Sequence, residues 1–396
     1  MPADDDTTGP GFPTVTVVGG GQLARMMAPA AVGLGVRLRV LAERDDDSAA
    51  LVAPHELGAA DDTAAVLRAA RGAAVVTFDH EHVPGDVLAA LEDAGAVVRP
   101  APGALRHAQD KLVMRRALAA LGLPVPAWDA VADLDALRAF ADAHGGRAVL
   151  KTPRGGYDGK GVLVLSTASD DGWDTAQEWF DRGTFPALLA EEVVPFVREL
   201  AVLVARSAMG QVALWPVAQT LQVDGVCREV VAPAPGLDED LAGVAATTAA
   251  RIAGALDVTG VMAVEGFEVA GPDGPRFVVN ELAMRPHNSG HWTIDGSVTS
   301  QFEQHLRAVL DLPLGDVRAR DRWTVMVNVL GGEHPDLYSS YLHVMAHDPA
   351  VKVHLYGKAV RPGRKIGHVT VSGDDLDDLL ERARHAAGYI RGEITE

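Results

Sequence analysis

Between residues 14 and 94 short apolar strands alternate with helical segments, and this alternation constrains the fold more than any other feature of the chain. Residues 14–18 (Thr-Val-Thr-Val-Val) run into Gly19-Gly20-Gly21 and then Gln22-Leu23-Ala24-Arg25-Met26-Met27: a strand, a glycine turn and a helix start. A strand over 36–41, a helix over 62–71, a strand over 73–78 and a helix over 84–94 follow. Strands joined through helices pair in parallel, with the helices covering the sheet. The spacing predicts one more helix over 110–121, ended by Gly122 and Pro124. A boundary there gives an N-terminal α/β domain over residues 14–122.

The pattern then changes. Over 128–181 it is short and mixed: a helix over 134–144, a strand over 148–151, a glycine loop, a strand over 162–165 and another helix. This segment, bounded as 123–186, is small enough to be a lid. Strands follow over 187–194, 199–205 and 212–217, then a long Ala-rich helix over 238–256 and two carboxylate-bearing strands near 261–267 and 277–281. A helix over 299–310, strands over 324–329, 351–355 and 368–371 and a last helix over 374–390 complete a larger domain, 187–396. At 396 residues the chain exceeds one ordinary core, which agrees with this division.

The hydrophobic fraction of 48% supports globular packing, and no apolar run reaches the ~18–20 residues that span a bilayer. No membrane association is expected. Residues 1–13, acidic and rich in Gly and Pro, read as a disordered tail rather than a signal peptide. The single cysteine, Cys227, rules out an intrachain disulfide and fits a reducing cytoplasm. A net charge of −19 argues against nucleic-acid binding, which needs basic surface to displace counterions.

Four segments carry chemistry. Residues 280–292, Asn-Glu-Leu-Ala-Met-Arg-Pro-His-Asn-Ser-Gly-His-Trp, follow the apolar run Phe277-Val278-Val279. Buried strands do not normally end in such a polar cluster, since each unpaired group costs about 1–3 kcal/mol. Glu265 lies inside another apolar run, so Glu265 and Glu281 at neighbouring strand ends suggest a hard cation and with it a polyphosphate. Ordinary pairing of both glutamates with arginines is the alternative.

Lys151-Thr152-Pro153-Arg154-Gly155-Gly156-Tyr157-Asp158-Gly159-Lys160-Gly161 places four glycines and three cations between two strands. Backbone N–H groups freed by glycine can converge on phosphate oxygens. The Walker signature Gly-Lys-Ser/Thr is missing, and an ordinary glycine hairpin stays open as a reading. Residues 358–368 pack Lys358, Arg361, Arg364 and Lys365 into an otherwise acidic chain, which suits a phosphate or carboxylate ligand or a solvated basic turn. Gly19 to Ala24 fit G-x-G-x-x-G/A, with Glu43 ending the second strand, so a nicotinamide-dependent oxidoreductase is a second hypothesis.

Together these segments resemble the ATP-grasp superfamily and, within it, the 5-(carboxyamino)imidazole ribonucleotide synthase family of purine biosynthesis. The resemblance rests on Gly-Gly-Gly-Gln-Leu-Ala-Arg-Met, Gly-Gly-Tyr-Asp-Gly-Lys-Gly, Asn-Glu-x-x-x-Arg-x-His-Asn-Ser-Gly-His-Trp and Arg-Pro-Gly-Arg-Lys-x-Gly-His, in that order along the chain. It implies an ATP-grasp fold with an N-terminal Rossmann-like domain, a small lid domain and a larger C-terminal domain with a β-rich extension. It implies a ligase in which ATP and bicarbonate form carboxyphosphate, whose carbon dioxide is taken by the amine of 5-aminoimidazole ribonucleotide.

By the same resemblance, Glu265 and Glu281, with Asn280, hold one or two magnesium ions. Lys151 and Arg99 contact ATP phosphates, and the loop with Gly156, Tyr157, Asp158, Gly159, Lys160 and Gly161 covers them. Glu191, Glu192, Val193 and Val194 frame adenine, and Glu199 takes the ribose. Arg285, His287 and Lys358 serve bicarbonate and carboxyphosphate, with residues 285–291 facing that chemistry. Tyr157 and Asp158 meet the aminoimidazole, Asp158 as proton acceptor. Arg361, Arg364 and Lys365 are candidates for the nucleotide's 5′-phosphate, with Gly20 and Gln22 nearby. Relatives are usually homodimers, and a homodimer is implied here.

Two positions depart from the family pattern. Gln222 stands where many relatives carry a histidine near ATP, and glutamine hydrogen-bonds without charge. Phe78-Asp79-His80-Glu81 replaces a segment usually read as Tyr-Glu-x-Glu. A non-catalytic ligand-binding relative and a ligase for another amine or acid are the remaining alternatives.

Overall fold

The computed structural model describes residues 11–156, 159–332 and 336–394. The chain divides into two compact units, Met1–Arg99 and Pro100–Glu396.

The first unit contains β1 (Thr14–Val18), α1 (Gln22–Leu34), β2 (Arg37–Ala42), β3 (His55–Leu57), α2 (Thr63–Ala70), β4 (Val75–Phe78) and α3 (Gly85–Asp93). Its sheet has the order β3-β2-β1-β4, with every pairing parallel. Consecutive residues Val15, Thr16, Val17 and Val18 are all fully buried, as a strand covered on both faces requires. Thr16 is tolerated there because its hydroxyl donates to the Ala69 carbonyl at 2.9 Å. The short β3 has no apolar alternation, and the sequence reading misses it.

The second unit opens with α4 (Pro102–Gln109) and α5 (Lys111–Ala120). A four-stranded antiparallel sheet follows, order β5-β8-β6-β7, from β5 (Trp128–Val131), β6 (Arg147–Lys151), β7 (Val162–Ser166) and β8 (Leu188–Glu191). Helices α6 (Leu134–Ala143) and α7 (Trp173–Asp181) bury Leu137, Phe140 and Trp173 against its Leu150, Leu165 and Leu188.

The larger sheet has nine strands: β9 (Phe196–Arg206), β10 (Val212–Leu214), β11 (Ala218–Val223), β12 (Val226–Ala232), β13 (Gly260–Val269), β14 (Arg276–Ala283), β15 (Trp323–Leu330), β16 (Lys352–Leu355) and β17 (Lys365–Gly373). Their order is β14-β13-β9-β11-β12-β15-β17-β16, with β10 on β9, and all pairings are antiparallel. The helices are α8 (Glu239–Ala255), α9 (Thr293–Gly296), α10 (Gln301–Val309), α11 (Ser340–His347) and α12 (Leu376–Arg391). The unit is therefore α+β, and the first unit is α/β. The β11–β12 hairpin turns on Asp224 (φ 53°) and Gly225 (φ 73°), two positive-φ residues that match the right-handed twist of the strands.

Candidate functional site

Strands β13 and β14 pair with Glu265 directly opposite Glu281, so the two carboxylates share one face of the sheet. Like charges in that relation repel, and the site sets a hydrogen-bond donor against each. Nζ of Lys111 lies 2.7 Å from Glu281 Oε1, and Nε2 of His287 lies 2.8 Å from Glu265 Oε1. The register shifts between Glu265 and Gly266, whose partner is Val279, which leaves Asn280 as the extra residue of a bulge. A bulge interrupts the alternation that would send Asn280 and Glu281 to opposite faces. Asn280 Oδ1 accepts from Lys151 Nζ at 3.2 Å beside the Glu281 pair.

Glu191 sits under this row. Its carboxylate takes the guanidinium of Arg115 on one oxygen and Lys151 Nζ, 2.6 Å away, on the other. Burial pushes the Glu191 carboxyl up, but Lys151 and Arg115 outweigh it and hold the group below its ordinary range. Arg115 is itself fully buried and donates through Nη2 to the Asn280 carbonyl at 2.6 Å. Glu191 thus fixes Lys151 and the base of β14, and its side chain points into the protein. The neighbouring Glu192 ties to Ala127 twice, N to O at 2.9 Å and Oε1 to N at 2.9 Å. Val193 and Val194 are half-buried, and the Val194 carbonyl accepts from Phe196 N at 3.0 Å.

On β9, Glu199 pairs in register with Phe267 of β13 and Thr220 of β11. Burial, and then the charge of Glu265, push its carboxyl up to about 7. A hydrogen bond from the Gln222 backbone opposes that rise. Gln222 therefore meets Glu199 through its main-chain N–H, which any residue but proline supplies at this position. Phe267 stacks on Phe196 with ring centroids 4.8 Å apart, forming an apolar shelf beside Glu199 that the motifs do not reveal.

In the glycine loop, Thr152 N donates to the Gly161 carbonyl at 2.9 Å, closing its base. Gly159 has φ +75° and lies so near the β11–β12 turn that a Cβ would meet Asp224 O at 3.2 Å. The loop containing Gly156 and the exposed Lys160 thus reaches the hairpin that carries Gln222. Tyr157 and Asp158 lie outside the described residues.

Glu265, the ladder partner of Glu281, has its own set of neighbours. Burial would raise its carboxyl, but His287, then Lys365 and Arg285, hold it below the ordinary range. The Ser289 N–H donates to His287 Nδ1 at 3.3 Å, which leaves Nε2 to donate to Glu265. Gln301, fully buried, accepts from His287 N and donates to His287 O, both at 2.8 Å, clamping the turn. Lys358 is half-buried, with its ammonium 5.7 Å from the Tyr356 ring centroid. The turn from Arg361, exposed, to Arg364, half-buried, is held by Gly331, whose N donates to Arg364 O at 2.7 Å and whose carbonyl accepts from Gly363 N at 3.0 Å.

The expectation that all of 285–291 faces the chemistry needs correcting. His291 is fully buried, with Gln301 Nε2 3.0 Å from its Nδ1 and the His368 ring centroid 5.1 Å away. Burial, then the nearby cationic groups, hold its pKa well below the ordinary histidine value, so it is a neutral core residue. Asn288 is likewise taken up, exchanging amide hydrogen bonds with Asn328 at 3.0 and 2.7 Å.

In the first unit, Asp79 caps α1: its carboxylate accepts from Gly21 N and Ala24 N, both at 2.8 Å. A Cβ on Gly21 would lie 2.0 Å from Asp79 Oδ2, so glycine is needed here to admit a carboxylate. A dinucleotide pyrophosphate would need those same N–H groups, and Asp79 would repel it. The fingerprint is thus a self-capped turn, and the oxidoreductase reading loses its one support. Gly20 O accepts from Ala49 N at 2.9 Å, Gln22 opens α1, and Arg99 N donates to Val76 O at 2.9 Å.

The sequence reading missed Lys111, Arg115, Gln301 and Phe267. Only Lys111 had a local cue, the Asp110 cap whose carboxylate accepts from Leu112 N at 3.0 Å and Val113 N at 3.1 Å.

Comparisons with known proteins identify the family. Residues 12–109 match the ribonucleotide synthetase preATP-grasp domain, 116–302 the ATP-grasp domain, and 324–382 the phosphoribosylaminoimidazole carboxylase C-terminal domain. The N5-carboxyaminoimidazole ribonucleotide synthase of Mycobacterium bovis is 53% identical, covering 96% of this chain and 88% of its own length. That of Corynebacterium ammoniagenes is 50% identical, covering 96% and 92%. The Thermus thermophilus synthetase structure aligns with TM-score 0.84 at 37% identity, covering 96% of this chain and 99% of its own. The Aspergillus clavatus enzyme, solved with ADP and 5-aminoimidazole ribonucleotide, aligns with TM-score 0.86 at 30% identity, covering 97% and 99%. The chain belongs to the N5-carboxyaminoimidazole ribonucleotide synthase family of the ATP-grasp superfamily.

Proposed function

We propose that this chain carboxylates 5-aminoimidazole ribonucleotide at the expense of ATP, with bicarbonate as carbon source, in purine biosynthesis. The observation that carries the reading is the opposed pair Glu265 and Glu281, with Lys111 2.7 Å from Glu281 and His287 2.8 Å from Glu265. Lys111 and Lys151 stand at the Glu281 and Asn280 end, where ATP phosphates are gripped. Arg285 and His287 stand at Glu265, where a small dianion such as carboxyphosphate is stabilised, and the charge of Lys365 also reaches that carboxylate. Phosphoryl transfer asks for this arrangement, since the charge moves and the protein mainly positions and neutralises.

Two carboxylates and the Asn280 amide oxygen form a hard oxygen donor set that fits magnesium. Magnesium held there would neutralise phosphate charge. The protein's own residues do the rest. Lys151 and Lys111 bind phosphate, with the loop through Gly156, Gly159, Lys160 and Gly161 as their cover. The main chain of Glu191 to Val194 frames adenine on the Phe196–Phe267 shelf, and Glu199 accepts from the ribose hydroxyls. Arg285, His287 and Lys358 orient bicarbonate and exclude water from the intermediate. Arg361, Arg364 and Lys365 take the 5′-phosphate, Tyr157 and Asp158 the aminoimidazole, and Gly20, Gln22 and Arg99 keep the roles that the resemblance implies.

On this reading residues 14–122 form the N-terminal domain, 123–186 the cover and 187–396 the platform. A homodimer and a cytoplasmic location belong to the same proposal; among the described residues no helix is long and apolar enough to cross a membrane. Coupled ADP release with each component omitted in turn tests the function. Release should require ATP, magnesium, bicarbonate and the ribonucleotide together. Release that persists without ribonucleotide, or that amino acids restore, would overturn the substrate assignment.

A further inference from the structure

We infer that His343, His347 and His385 form a site for zinc, separate from the phosphate-transfer centre. One ring nitrogen from each lies within 4.8 Å of the other two. His343 and His347 stand one turn apart on α11, the spacing that places two imidazoles on one helix face. His385 comes from α12 and stacks on His347 with centroids 4.3 Å apart. His343 lies flat on Tyr389, 3.7 Å between centroids, which fixes its plane.

The two helices are already fixed to one another. Val344 of α11 shares a core with Leu379, Ala383 and Ala386 of α12. Arg382 reaches Asp348 with two nitrogens, at 2.7 and 3.1 Å, one turn before His385. Tetrahedral zinc with Zn–N bonds of 2.0–2.1 Å sets its ligand nitrogens roughly 3.3 Å apart. The separation therefore needs to close by about 1.5 Å at most, which side-chain rotation supplies, especially at the exposed His347. Nearby guanidiniums do not oppose a dication. Arg382 is neutralised by Asp348 and Asp378, and Arg384 by Glu229 through contacts of 2.7 and 2.8 Å. Three imidazoles without a carboxylate select a borderline metal such as zinc over magnesium, which takes oxygen donors.

The test uses the full chain stripped with chelator and held in excess magnesium, which occupies oxygen-rich sites. Zinc is titrated by calorimetry, and cobalt(II) serves as a spectroscopic probe of coordination. One zinc per chain is expected, together with d–d absorption of a tetrahedral cobalt complex and a higher melting temperature with zinc. His347→Ala, at an exposed position, and His385→Gln should each weaken zinc at least about tenfold and remove the thermal shift. His144→Ala, outside the cluster, should bind as the wild type does. Absence of stoichiometric zinc, or wild-type affinity in both cluster variants, overturns the site.

Discussion

Replacing Glu199 with glutamine should stabilise the substrate-free protein while weakening ATP. The carboxyl rises from 4.5 to about 7 because the side chain is largely withdrawn from water and faces the charge of Glu265. At 1.36 kcal/mol per pH unit the ceiling is about 3.4 kcal/mol of preference for the neutral form. Glu199 is only partly buried, so solvent screening reduces this to about 1–2 kcal/mol. The sign follows from proton binding: between pH 4.5 and 7 the folded state holds the proton more tightly, so wild-type stability falls as pH rises through that window. Glutamine keeps the acceptor for the Gln222 backbone and removes the charge. Glu199→Gln should therefore melt about 2–4 °C above wild type at pH 8 and together with it near pH 4.5. Its KM for ATP should rise, since a carboxylate accepts ribose hydroxyls more strongly than an amide. Thermal melts across that pH range, paired with ADP-release kinetics, check both. An equal or lower melting temperature at pH 8, or a gain independent of pH, would refute the reasoning.

Glu281→Gln should lower turnover by about 10²-fold or more with the fold retained, as circular dichroism and kcat would read; near-normal kcat would remove Glu281 from the metal set. Lys365→Ala should chiefly raise the KM for the ribonucleotide, and a rise confined to the KM for ATP would misplace the substrate phosphate. Gln301→Leu breaks three buried hydrogen bonds on the 287–291 turn and should destabilise the protein by about 2–4 kcal/mol in urea titrations. The same variant should raise the bicarbonate requirement more than the ATP requirement, because His287 loses its clamp.

What was legible in the sequence divides along physical lines. The first sheet was readable because β1 and β4 are buried, largely apolar runs and β2 ends in buried Val40, Leu41 and Ala42, each strand leading toward a helix or a glycine turn. Glu265 and Glu281 were readable because a carboxylate inside an apolar run needs a reason. Lys111 and Arg115 were not: their partners lie 170 and 76 residues away, and a single chain does not announce such pairs. The β11–β12 hairpin carried a usable signal, Asp224-Gly225 between apolar stretches, yet only Gln222 within it was singled out, for its place near ATP. His291 was misread because polarity does not say which way a side chain faces after a strand ends. Helix α11 escaped because Leu342 and Met345 are exposed, which blurs its periodicity.

The bulge at Asn280 explains why an Asn-Glu pair closes this strand. In a regular ladder Asn280 would face away from Glu281, and Lys151 could not reach the row that contains both. The extra residue turns the amide toward Lys151 while Glu281 remains opposite Glu265. That choice commits three carboxylates, Glu199, Glu265 and Glu281, to one region of the sheet. Lys111 and His287 each answer one of them, at 2.7 and 2.8 Å. Glu191, below the row, contributes no fourth exposed charge, because Arg115 and Lys151 saturate it and it acts as the anchor for Lys151. Glu199 is the carboxyl that burial, and then the charge of Glu265, push up to about 7. Its assigned partners are neutral ribose hydroxyls, which a carboxylate can accept from without bringing a further cation into the phosphate row.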